Sequence, residues 1–191
     1  MLILGSTSPI RASMLEAAGV DFTISASDYD EDPVKDSHQG DAPSLALALA
    51  QGKALAVPAQ PEDTVIGGDS VLEVEGRRFD KPADREQAAE HLRFFSGKTI
   101  ALTSAVALAA DGKIVWEHVE TARLKVRDLS EAFIADYLAA EWPEVGYCVG
   151  VFRMEGRGVT LFETVEGSHF TILGMPLLPL LGALRARGLA A

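Results

Sequence analysis

The chain has 191 residues, with 28 acidic against 17 basic side chains and a formal net charge of −11. Hydrophobic residues make up 48% and charged residues 24%, an ordinary globular mixture that argues against disorder and suffices for a single domain over residues 1–191. The acidic balance, with no Lys/Arg run, argues against nucleic acid as a partner. The single cysteine, Cys148, excludes an intramolecular disulfide and a cysteine-based zinc site; it fits a reducing compartment and reads as a small buried hydrophobe.

In chain order, Leu2-Ile3-Leu4 reads as a short buried strand, broken at Gly5 to Pro9 before an amphipathic helix over residues 10–18 that Gly19 closes. Residues 22–25 read as a second strand, leading into an acidic loop over residues 28–32. Residues 43–57 have helical spacing, with Asp41 as N-cap and Lys53 riding on the helix. Thr64-Val65-Ile66 is the central-strand candidate, with Asp69 expected at its C-terminal end, where α/β folds often carry chemistry.

Residues 71–79 suggest a hairpin about Glu75-Gly76, followed by a helix that Asp84 caps. Residues 99–109 and 113–126 read as long strands joined at Asp111-Gly112, and Ser130 caps a helix reaching Ala140. Residues 148–153 and 159–165 look strand-like, and a helix beginning at Pro176 or Pro179 runs to Arg187. This order gives an α/β (α+β) fold with a mixed, strongly twisted sheet flanked by helices and a cleft between two lobes. No stretch resembles a signal peptide or could span a bilayer, so a cytoplasmic location without a membrane partner is expected.

The first loop combines a helix start at Ser8-Pro9 with donors at Ser6, Thr7 and Arg11, a composition suited to an anion. Ser-Pro also starts helices that bind nothing, so phosphate binding needs support from elsewhere. Lys53 and Lys81 supply cations, while Glu31 and Asp69 supply carboxylates that suit a hard divalent metal, Mg2+ or Mn2+, together with phosphate oxygens. There is no Walker sequence and no dinucleotide-binding fingerprint. His38, His91, His118 and His169 lack zinc-ligand spacing and read as surface or hydrogen-bonded residues.

Three segments together resemble the Maf family of nucleoside triphosphate pyrophosphatases: Leu4-Gly5-Ser6-Thr7-Ser8-Pro9-Ile10-Arg11, Val65-Ile66-Gly67-Gly68-Asp69-Ser70 and Asp80-Lys81-Pro82. A fourth, Phe152-Arg153-Met154-Glu155-Gly156-Arg157-Gly158, is similar to the family's C-terminal motif, so the resemblance covers nearly the whole chain. It implies an ITPase-like fold and hydrolysis of a nucleoside triphosphate to monophosphate and pyrophosphate, a housecleaning role. It implies substrate binding by Ser6, Ser8, Arg11, Lys53 and Lys81, an acidic site residue at Glu31, and Asp69 as proton acceptor. Whether Asp69 is a base or mainly a metal ligand stays open, because an ordinary carboxylate is a weak base.

Ile10 stands where many members have arginine, Ser70 follows the aspartate where one branch has glutamine, and Glu155 occupies a position often filled by glutamine. These three are the specificity positions the resemblance implies, and the pattern looks closest to the branch acting on 7-methyl-GTP. A glutamate at position 155 could accept from guanine N1–H and the 2-amino group. Alternatives are a dTTP/UTP or inosine/xanthosine triphosphate pyrophosphatase, or a non-catalytic nucleotide-binding regulator of cell division. A homodimer is the default for a soluble enzyme.

Overall fold

The computed structural model describes residues 1–190. The N-terminal apolar run forms β1 (Leu2–Leu4), with all three side chains buried. It pairs in parallel with both β2 (Thr23–Ile24) and β3 (Thr64–Val74), in a register that sets Leu4 opposite Ile24 and Ile66. The connection from β1 to β2 is α1 (Pro9–Ala17), which ends where Gly19 takes a φ of 68°, a left-handed conformation glycine adopts without strain.

The middle of the chain follows its turn chemistry. Glu75 and Gly76, both at positive φ, close an antiparallel hairpin between β3 and β4 (Arg77–Phe79). Asp111 and Gly112 do the same between β5 (Thr99–Ala110) and β6 (Lys113–Val126). With β7 (Phe162–Glu166), the seven strands form one mixed sheet in the order β2-β1-β3-β5-β6-β7, β4 pairing with β3 outside that path. The mixed α/β class expected from the sequence is the class observed.

Three helices start on side-chain caps. Asp41 accepts from Ser44 N–H ahead of Ala42–Ala56, which follows a short helix over Asp32–Ser37; these are α3 and α2. Asp84 and Ser130 cap α4 (Arg85–Phe95) and α5 (Glu131–Glu141). Each such cap stabilises its helix by about 1 kcal/mol. The chain closes with α6 (His169–Ile172) and α7 (Leu177–Arg185).

The chain divides into two compact units: Met1–Ser70, Thr103–Glu120 and the segment from Ser168 onward form one, Val71–Leu102 and Thr121–Gly167 the other. Strands β3, β5 and β6 each contribute residues to both. In the first unit Leu4, Leu15, Ile66, Leu108, Leu180 and Leu184 are fully buried in one apolar cluster. In the second, Leu72, Phe95, Ile100, Leu124, Ile134 and Leu161 are the large buried side chains. Among the described residues, no helix is long and apolar enough to cross a membrane.

Four local expectations change. The acidic loop ends in a helix start at its last residue, because Asp32 and Pro33 suit a first helical turn and Lys35 pairs back to Glu31. Residues 148–153 are not a strand: a 3-10 turn at Glu144–Tyr147 precedes them, and Val151 has a φ of 56°, incompatible with an extended run. Residues 157–161 form another 3-10 turn, so the last strand begins only at Phe162. Cys148 is part-buried rather than fully buried.

Candidate active site

Two glycines of the first unit, Gly67 on β3 and Gly52 on α3, explain why its charges meet. A Cβ on Gly67 would lie 2.2 Å from the Ala50 carbonyl oxygen and 2.5 Å from the Ala54 nitrogen, so β3 rests directly on the backbone of α3. The stripe of Ala46, Ala50 and Ala54, all buried, lets α3 come this close. On the same helix, a Cβ at Gly52 would lie 2.1 Å from Cζ of Tyr29. The Tyr29 ring therefore packs on α3 and carries the acidic segment with it.

Lys53 is the meeting point. Its ammonium donates to Oδ1 of Asp69 at 2.5 Å and reaches Oε1 of Glu31 at 2.7 Å, while Lys35 takes Oε2 of Glu31 at 3.0 Å. Burial alone would raise the Glu31 pKa, but the hydrogen bonds and charges of Lys53 and Lys35 outweigh it and hold the carboxyl at about 2. Asp69 is buried in the interior of β3 rather than at its end, because the strand continues to Val74 through its hairpin with β4.

Arg11, on α1, forms the second focus. Its Nε donates to the Gly174 carbonyl at 2.8 Å, Nη1 to Ser6 Oγ at 3.3 Å and Nη2 to Ser70 Oγ at 3.4 Å. Burial lowers its pKa, and the opposing attraction of Asp69 and then Glu31 marks their shared surroundings. Ser8 occupies the N-cap position of α1, but its hydroxyl makes no capping bond; Ser6 Oγ accepts from Ser8 N–H instead, at 3.2 Å. The helix start that the sequence assigned to Ser8 is therefore present without its side-chain cap, leaving the first turn open to an anion. Ile10, half-buried on α1, is next to Arg11 in the chain.

Thus Ser6, Arg11 and Ser70 are joined directly, as are Glu31, Lys53 and Asp69. Lys81 and Glu155 belong to the second unit, both exposed. There they share the surroundings of Cys148, whose thiol is pushed up by burial and by Glu155 and drawn back by Arg153 and Lys81. The turn carrying Glu155 is anchored by Arg153, which pairs with buried Glu141 at 3.0 Å, and closed where Gly158 packs on the Arg153 backbone. The sequence reading missed Lys35, Ser104 and Gly174. The Glu31–Lys35 spacing of i, i+4 could have flagged the first; nothing local marks the other two.

The donor chemistry fits a hard divalent cation. Two carboxylates meet at one ammonium, and among the described residues no group of three or more His, Cys, Asp or Glu converges. Two carboxylates plus substrate oxygens and water is the ligand set that magnesium usually takes.

A family model described as Maf-like protein matches residues 1–187. A nucleoside triphosphate pyrophosphatase from Sphingopyxis alaskensis is 46% identical over 194 residues, covering 99% of this chain and 98% of its own. A 7-methyl-GTP pyrophosphatase from Rhizobium etli is 45% identical, with 98% and 96% covered. A nucleoside triphosphate pyrophosphatase from Bradyrhizobium diazoefficiens is 46% identical, with 100% and 95% covered. The fold is a mixed α/β sheet whose third strand carries Asp69 and Ser70, and the chain belongs to the Maf-like family.

Proposed function

We propose that the protein hydrolyses a nucleoside triphosphate between the α- and β-phosphates, releasing nucleoside monophosphate and pyrophosphate. The observation that carries this reading is Lys53 held between Asp69 and Glu31, with the Arg11 guanidinium under the attraction of the same two carboxylates. The pairing holds one ammonium and two carboxylates together, a set that suits a polyphosphate when a divalent cation accompanies it. The names of the relatives, nucleoside triphosphate pyrophosphatase and 7-methyl-GTP pyrophosphatase, support the same reaction.

In the reaction a water oxygen forms a bond to the α-phosphorus as the bond to the bridging oxygen of pyrophosphate breaks. Asp69 accepts the water proton or orients the water. Arg11 and the open first turn of α1 bind phosphate oxygens, and Lys53 neutralises charge growing on the leaving group. Ser6 and Ser8 supply hydroxyl donors at that turn, and Lys81 contributes a further cation. A divalent metal, held by Glu31 and Asp69, would supply Lewis-acid polarisation of the phosphates and acidify water.

Ile10, Ser70 and Glu155 select the base, and 7-methyl-GTP is the favoured substrate: a cationic methylated guanine suits a carboxylate at Glu155. The reading also takes the protein to be cytoplasmic, with a nucleotide rather than nucleic acid as its partner, and as a homodimer.

The test is a panel of 7-methyl-GTP, GTP, ITP, UTP and dTTP with magnesium or manganese, measuring pyrophosphate and orthophosphate separately. Pyrophosphate with 7-methyl-GTP leading supports both reaction and substrate. Stepwise orthophosphate, or no product while nucleotide still binds, would end the pyrophosphatase reading.

A further inference from the structure

Ser104 lies on β5, makes no direct hydrogen bond to a charged side chain, and is completely buried. Its hydroxyl donates to the Thr171 carbonyl at 2.8 Å, and its oxygen lies 2.8 Å from Ser70 Oγ. A hydroxyl has one proton, and the carbonyl can only accept. With the Ser104 proton committed to Thr171, Ser70 must be the donor in the serine pair. Ser70 Oγ then turns lone pairs toward Arg11 Nη2, 3.4 Å away.

The alternative acceptor for the Ser70 proton is the Gly174 carbonyl at 3.5 Å, which already receives Arg11 Nε at 2.8 Å. Gly174 has a φ of 99°, and a Cβ there would lie 3.4 Å from Ser70 Oγ and 3.6 Å from Arg11 Nη2. The C-terminal segment therefore meets the guanidinium twice, directly through Gly174 and through the serine pair that ends on Thr171. Thr171 is itself tied down, its hydroxyl donating to Glu120 Oε2 at 2.5 Å.

We propose that Ser104 is a positioning residue for Arg11: by taking the Ser70 proton it keeps Ser70 an acceptor and leaves the Gly174 carbonyl to Arg11 Nε. The orientation of the guanidinium is thus set from β5 and the segment after Ser168, by a residue that touches no substrate. The catalytic consequence rests on the pyrophosphatase reading; the hydrogen-bond polarity does not.

The test follows Arg11 itself. The Nε–H resonance in 15N NMR, assigned by its loss in Arg11→Lys, should exchange slowly with solvent in the wild type. In Ser104→Ala, Ser70 turns its proton to Gly174 and competes with Nε. Exchange should then rise about five- to tenfold, the equivalent of one net hydrogen bond, and kcat/KM for the best triphosphate should fall by a similar factor. A purely structural role for Ser104 would lower the melting temperature and leave the resonance unchanged.

An unchanged resonance and kcat/KM in folded Ser104→Ala overturn the proposal. Should that variant not fold, Ser104→Cys keeps the side chain's size while its sulfur accepts the Ser70 proton only weakly, and the same rise in Nε exchange is expected, an unchanged resonance again overturning the proposal. A wild type that releases no pyrophosphate from any triphosphate overturns the functional reading alone, because Arg11 exchange still reports on the relay.

Discussion

Lys53 Nζ stands 2.5 Å from Asp69 Oδ1, a contact between a residue on the last turn of α3 and one in the interior of β3. The pair owes its existence to Gly67, which lets strand and helix backbones touch. Its side chains retain only 16% and 11% exposure, so neither charge is well solvated without the other.

Removing the ammonium therefore affects both activity and stability. Lys53→Met leaves Asp69 and Glu31 facing each other without their common cation. It should destabilise the protein by about 1–3 kcal/mol, less than a fully buried pair because both groups keep some solvent. Pyrophosphate release should fall at least about a hundredfold. Denaturant unfolding and the release assay check the two parts, and a variant of wild-type stability and rate would show that the pairing matters to neither.

Gly67→Ala tests how the pair is assembled without altering any charge. Its Cβ would meet the Ala50 carbonyl at 2.2 Å, a backbone atom that cannot swing aside, so α3 must shift. A loss of about 1–3 kcal/mol is expected from overpacking, together with weakened activity. Full activity at unchanged stability would mean that β3 and α3 tolerate separation.

In the second unit, Tyr137 donates to the carbonyl of Val151 at 2.9 Å, and Val151 carries a φ of 56° that a β-branched residue rarely adopts. The bond helps hold the start of the turn leading to Glu155. Tyr137→Phe should cost about 1 kcal/mol by unfolding. Discrimination between 7-methyl-GTP and GTP should also relax. Unaltered stability would contradict a restraining role for the hydroxyl.

His91 gives a pH dependence of defined sign. It is buried against Phe79 and Phe95, its Nδ1 has no hydrogen-bond partner, and burial followed by repulsion from Arg77 lowers its pKa from 6.5. The unfolded chain thus binds the proton more readily, and stability falls as pH drops through 6.5 toward the lowered folded value. His91→Leu should flatten the stability profile in that window. Parallel profiles for the two proteins would assign the acid sensitivity elsewhere.

Local chemistry made much of the fold legible. Asp41, Asp84 and Ser130 marked three helix starts, and the Glu75-Gly76 and Asp111-Gly112 turns fixed two hairpins. Residues 148–153 misled because Val149, Val151 and Phe152 have strand composition, whereas positive φ at Val151 comes from tertiary restraint. The Asp28–Asp32 run hid a helix start, since acidic residues suit both loops and first helical turns. His91 was read as hydrogen-bonded or exposed, yet it is buried with an orphan nitrogen.

For the site, residue type and order identified Glu31, Lys53, Asp69 and Arg11, while their contacts depended on close approach at Gly67 and Gly52. Ser104 and Gly174 had no local signature. They matter only because β5 and the C-terminal segment bring them to Arg11 from distant parts of the sequence.

The most direct test of the central claim is pyrophosphate release from 7-methyl-GTP and the other triphosphates by wild type and Asp69→Asn, with nucleotide binding measured in parallel. The wild type should release pyrophosphate, and the variant should lose about a hundredfold or more of that rate while still folding and binding nucleotide. An Asp69→Asn protein that releases pyrophosphate at the wild-type rate would contradict the role given to Asp69 and, with it, this assignment of the active site.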